Sequence, residues 1–194
     1  MIKFRATILF IPGLMMTLFT LALCFPASIM AQQQGYGDIS FGIPSIAMLD
    51  LEPTALSNIV LVVMAPTEAG LPVSTQSASN SQLWLNYSSS LPTGGLSRSI
   101  MVQITAGTLP QGLELNLNTA PFAGSGSGTF GSTSGEIAVN YSPQRIISGI
   151  GRCFTGNGQN NGHNLTYSLS VIDFSKLDLE SSTAIQITYT ITDD

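Results

Sequence analysis

The chain has 194 residues, of which 44% are hydrophobic and only 9% charged, and its formal net charge is −5. Beyond the first five residues the fixed cations are Arg98, Arg145, Arg152 and Lys176, too scattered to neutralise a run of phosphates, so nucleic acid is excluded as a partner class. Two cysteines, Cys24 and Cys153, cannot build a disulfide scaffold, so burial has to stabilise the fold.

Lys3 and Arg5 precede an apolar run from Ala6 to about Leu23, and Phe25-Pro-Ala-Ser then leads to Ile29-Met30-Ala31. Residues 1–31 read as a secretory signal peptide cut after the small Ala31, which predicts export to the periplasm or the outer surface. One rival is an uncleaved anchor, since the run is nearly long enough to span, but Pro12, Gly13 and Pro26 interrupt it. Another is lipidation at Cys24, where Leu23 stands in place of the small residue that a lipobox wants. Removing 31 of 194 residues leaves 163, enough for one domain with a real core, and takes the charge from −5 to −7. Cys153 then has no partner in its own chain. It reads as a small buried apolar group, with an intermolecular disulfide as the alternative.

Residues 32–37 (QQQGYG) read as a flexible arm. Ile39, Phe41 and Ile43 alternate before Pro44 and form a candidate surface for a partner. Leu49-Asp50-Leu51-Glu52 recurs as Leu177-Asp178-Leu179-Glu180, too short an echo to mark a repeat. The run from Ile59 to Met64 is apolar and rich in β-branched residues, and it predicts a strand buried on both faces. Period-two alternation predicts further strands at Leu83–Tyr87, Ile100–Ile104, Leu113–Leu117, Ile137–Tyr141, Leu165–Val171 and Ile185–Ile191. Gly, Pro, Asn and Ser separate them, and no helical period is sustained. The pattern predicts a single all-β domain, an antiparallel sandwich or barrel. The Gly/Ser stretch 124–135 reads as a long loop within that domain rather than an interdomain linker.

The stretch from Ile146 to Ile172 reads as two strands joined by a loop holding Gly156, Gly158 and Gly162 among several asparagines. It contains His163, the single histidine, ten residues after Cys153. A hairpin here would bring the two together, yet no base–nucleophile–orienter set surrounds them. His163 is read as structural, and His163→Ala is expected to cost little. One histidine and one cysteine are too few for a metal centre. The carboxylate pairs Asp50/Glu52, Asp178/Glu180 and Asp193/Asp194 read as solvated faces rather than calcium or glycosidase sites. No cofactor is expected, and the chain is read as non-enzymatic. Tyr87, Tyr141, Tyr167 and Tyr189 lie on apolar faces and predict core or near-core positions. Trp84 faces away from Leu83 and Leu85, which makes it the candidate binding aromatic.

Leu83-Trp-Leu-Asn-Tyr-Ser88, Gly107-Thr-Leu-Pro-Gln-Gly-Leu113 and Ile147-Ser-Gly-Ile-Gly151 form an ordered series with three later pieces. These are Thr155-Gly-Asn-Gly158, Gly162-His-Asn-Leu-Thr-Tyr167 and Ile187-Thr-Tyr-Thr-Ile191. The series resembles a family of uncharacterised secreted β-sandwich proteins of Gram-negative bacteria. More remotely, the last strand with its tyrosine resembles those of pilin subunits and spore-coat-U-type proteins. That resemblance implies an exported subunit that builds surface fibres and is completed by a neighbour's strand, and it makes the expected fold an all-β, immunoglobulin-like antiparallel β-sandwich. Pilins of that kind commonly carry a disulfide, which this mature chain cannot form internally. The expected function is a structural or adhesive cell-surface protein that contacts protein partners, including copies of itself. The alternative is a secreted carbohydrate- or ligand-binding module using Trp84.

Overall fold

Alternation in the sequence becomes layering in space. A computed structural model describes residues 39–56, 58–177 and 184–194. Residues 1–31, read as a leader, with Cys24 among them, residues 32–37, read as an arm, and Asp178 and Glu180 lie outside the described residues. Gly42–Asp194 forms one compact unit. In the other unit, Met1–Phe41, the described residues are Ile39 to Phe41, and all three are exposed.

Nine strands are present among the described residues: β1 Ile46–Glu52, β2 Ser79–Ser90, β3 Arg98–Ala106, β4 Leu113–Ala123, β5 Ser127–Thr133, β6 Gly135–Ala138, β7 Gln144–Phe154, β8 Gly162–Val171 and β9 Gln186–Asp193. Every pairing is antiparallel. The ladder runs β6-β4-β8-β2-β7-β3-β9, with β1 added to β2 and β5 to β7. It folds at the β2–β7 junction, where Ser88 and Ser89 pair with Phe154 and Cys153. One layer is β1-β2-β8-β4-β6 and the other is β5-β7-β3-β9. The result is all-β and sandwich-like.

Both layers feed one core. Leu83, Leu85, Tyr87, Leu117, Leu165 and Tyr167 come from the first, and Ile100, Val102, Ile147 and Ile150 from the second. Each fully buried aliphatic of this kind stabilises by roughly 1.5–3 kcal/mol. Ile146 and Ile147 are consecutive yet both wholly buried. A strand manages that only where the alternation slips, and the β3–β7 register shifts between Ile100 and Met101.

Several expectations fail, each for a physical reason. Two strands joined by a loop form as expected at β7 and β8, but they do not pair as the hairpin that would bring Cys153 to His163, because β2 lies between them and the connection is a crossover. Residues 59–64 form no strand beyond a single bridge between Met64 and Ser74. Val60, Val62 and Met64 are exposed while Ile59 and Leu61 pack on the core. β-branched content favoured an extended chain there, but no ladder edge receives it. The segment read as a Gly/Ser loop carries β5, which pairs along β7 from Ser127 to Thr133. Gly128 explains the misreading: a Cβ there would meet the Arg152 carbonyl and Cys153, and its φ is 113°. The glycines allow close backbone approach rather than slack. Finally, β6 ends at Ala138, and Tyr141 is 56% exposed rather than core. Its hydroxyl caps a turn by accepting from the Leu109 N–H at 3.1 Å.

Candidate functional site

The candidate partner residues of the arm are solvent-facing. Ile39, Phe41 and Ile43 are 78%, 89% and 85% exposed, and residues 39–45 belong to no strand. Immediately after them the chain is anchored. Arg98, at the start of β3, is buried to 4% exposure. Its guanidinium donates to Asp193 Oδ1 at 2.6 Å, Ser45 Oγ at 3.1 Å, Ser89 Oγ at 3.2 Å, and the Ser90 and Ile46 carbonyls. One planar fork with five donors thereby ties the start of β1, the end of β2 and the end of β9 to β3. Asp194 accepts from Ser97 Oγ at 2.6 Å and from Ser99 Oγ, and these bonds hold its carboxyl below the usual range. Asp193 and Asp194, read as a solvated face, therefore accept hydrogen bonds from Arg98, Ser97 and Ser99. A concavity of about 650 Å³ opens at this pole, bounded by Ile43, Pro44, Leu96, Arg98 and Arg152. Sequence reading missed Arg98, counting it among scattered cations. Its one signal was a serine on either side of a cation opening an apolar strand.

His163, read as a structural residue of the loop, lies inside β8 at 1% exposure. Its Nδ1 is 2.9 Å from the Ala120 carbonyl, which can only accept, so Nδ1 carries the proton. Nε2 then accepts from the Tyr87 hydroxyl at 2.9 Å. That hydroxyl also reaches the Phe130 carbonyl, sharing one proton between two acceptors. Burial lowers the His163 pKa, with the Ala120 hydrogen bond opposing, and burial pushes the Tyr87 hydroxyl up. Cys153 does not hydrogen-bond to His163, and burial raises its thiol to about 11, so it stays protonated at neutral pH. The arrangement is a polar bracket joining β2, β4, β5 and β8. Full burial also overturns the expectation that His163→Ala costs little, since the change would empty a core position and take the imidazole partner from the Ala120 carbonyl, while the Tyr87 hydroxyl keeps the Phe130 carbonyl.

Trp84 is half-buried on the outer face of the first layer, opposite the core side of Leu83 and Leu85. Direct cross-strand partners share a face, so the register fixes its neighbours. Glu52, Trp84 and Asn164 form one row, Asp50 and Asn86 the next, and Met48, Ser88 and Phe154 the third. No metal-holding group of three or more His, Cys, Asp or Glu occurs among the described residues.

No family model matches this chain, nor does any curated protein or solved structure.

Proposed function

We propose that this protein is an exported structural or adhesive subunit that works by protein–protein contact, through pairing of its Ile39–Ile43 segment with a sheet edge on another copy. The observation that carries the reading is that segment's pattern. Three large apolar side chains alternate with small ones, all three point into solvent, and residues 39–45 enter no ladder. Water-exposed apolar residues at period two are what strand addition uses, with main-chain hydrogen bonds supplying affinity and alternate side chains filling pockets.

An acceptor edge is also present. Among the described residues β9 pairs only with β3, and its Ile187, Tyr189 and Ile191 remain half-buried, whereas their partners Ile104, Val102 and Ile100 are 3%, 0% and 0% exposed. A strand laid beside β9 would cover that remaining apolar area. The remote resemblance to pilin and spore-coat-U-type subunits agrees with this reading, as does the leader over residues 1–31.

Deletion of residues 32–43 followed by light scattering is the test. The intact protein should form concentration-dependent multimers that the truncated protein does not. Equal, monomeric masses for both across a wide concentration range would end the proposal.

A further inference from the structure

We propose a second site: the outer face of β1 and β2, from Phe154 to Trp84, binds a neutral, hydroxyl-rich ligand such as an oligosaccharide. This is independent of strand pairing at the arm. The register sets aromatic rings at both ends of the face, Phe154 in one outer row and Trp84 in the other. One row lies between them, and the end rows are about 13 Å apart along the chain direction. Phe154 is 52% exposed. Sugar rings present C–H faces that lie against exposed aromatic rings, and their rims carry hydroxyl donors.

The polar groups between the rings are mostly acceptors. Asn86 is 5% exposed, and its Nδ2 is committed to the Gly158 carbonyl at 3.1 Å, while its Oδ1 has no partner among the described residues. A hydroxyl donor on a ligand would supply the partner that this oxygen lacks once the amide turns toward it. Asp50 is exposed beside it, with Oδ1 accepting from the Leu51 N–H at 2.8 Å. Glu52 continues the acidic rim one row on. Asn86 and Asp50 line a concavity of about 350 Å³ together with Phe154 and Asn157. That volume lies at the small end of ordinary ligand sites.

Charge selects the class of ligand. Asp50 and Glu52 project from the rim and no cation lies in the three rows, so an anionic chain would meet uncompensated repulsion. Hydroxyl donors suit an amide oxygen and a carboxylate equally well. The signal in the sequence was partial. Trp84 was visible by alternation, whereas Asp50, Asn86 and Phe154 meet only through a register that spans a hundred residues.

Trp84 is the chain's single tryptophan, so its emission reads this face directly. The exported protein would be titrated with cellohexaose, maltohexaose, mannohexaose and, as an anionic probe, hexagalacturonate, with calorimetry on the same solutions to detect binding that leaves emission unchanged. At least one neutral hexaose should bind saturably, and hexagalacturonate should not. Phe154→Ala and Asp50→Ala, both at exposed positions, should weaken binding by about tenfold or more. Tyr141→Ala, exposed elsewhere, should leave it unchanged, with circular dichroism confirming that all three variants fold. Absence of binding by all neutral hexaoses up to about 10 mM would overturn the proposal. So would wild-type affinity in both Phe154→Ala and Asp50→Ala, or a preference for hexagalacturonate.

Discussion

Two buried polar side chains do different work, and each can be tested alone. Arg98 is a charge taken out of water and repaid by five hydrogen bonds, one of them to a carboxylate that is itself 73% exposed. Arg98→Met keeps most of the volume while leaving Ser45, Ser89, the Ser90 carbonyl and the Ile46 carbonyl without their donor. Breaking such a pair costs about 3 kcal/mol, toward the lower end because Asp193 can rehydrate. The urea midpoint should fall with the slope unchanged. His163 is held neutral with its proton on Nδ1, so nitrogen chemical shifts at pH 7 should report that tautomer. Its folded pKa lies below the ordinary 6.5. The unfolded chain therefore takes up the proton first as pH falls. The His163 contribution is intact above about pH 6.5 and is lost from there down through the folded value, at up to about 1.4 kcal/mol per pH unit. A His163→Gln variant should flatten stability below about pH 6.5; an unchanged slope would refute the neutral assignment.

At the scale of elements, glycine placement separates close approach from slack. Gly128 and Gly135 both have positive φ, 113° and 78°, but only Gly128 has backbone where a Cβ would go, while Gly135 faces open space. Gly135→Ala should cost about 1–2 kcal/mol for conformation alone. Gly128→Ala adds a clash with β7 and should cost about 3 kcal/mol or more, read as a drop in melting temperature. Equal losses would mean that β5 does not press on β7 as described. The same contrast explains what the sequence disclosed. β2, β3, β4, β8 and β9 were legible because one face is buried and one wet, which writes period two into the residues. β5 was not, because a strand pressed against a neighbouring backbone is written in glycine and serine, the letters of a linker. β1 showed only Leu-Asp-Leu-Glu, since just Leu49 and Leu51 reach the core. The 59–64 run erred the other way, its β-branched side chains favouring extension without supplying a partner strand. Arg98 and Asn86 were invisible as site residues, because their importance comes from partners 52 to 95 positions away.

Taken whole, the molecule is closed by its most distant segment. Arg98 pairs with Asp193 across β3 and β9, and Ser79 with Ser168 across β2 and β8. Loops of that length must close before their contacts repay the entropy, so refolding should take milliseconds to seconds. β9 lies at the end of the ladder, yet it is no appendage. Ile185, Ile187, Tyr189 and Ile191 pack on the core, and the Tyr189 hydroxyl bonds that of Tyr167 in the other layer. Burial pushes both tyrosines up, Tyr167 to about 12, so this link stays neutral at any physiological pH. Removing residues 184–194 would strip one edge from β3, open that side of the core and leave Arg98 buried without its carboxylate. A buried unpaired cation is the costliest part of that loss, several kcal/mol on the scale of a whole domain's 5–15. The truncated chain should therefore lose its cooperative thermal transition and its near-ultraviolet dichroism. A synthetic peptide of residues 184–194 added in trans should restore both in proportion to its concentration, because the edge it fills is open along its length. The same peptide with Asp193→Ala and Asp194→Ala should restore them less, since it brings the apolar face without the anions that Arg98, Ser97 and Ser99 hold. If the truncated chain kept an unchanged, cooperative transition, β9 would be decoration on a core complete without it, and its half-buried face would have to be explained by something other than the closure of this sandwich.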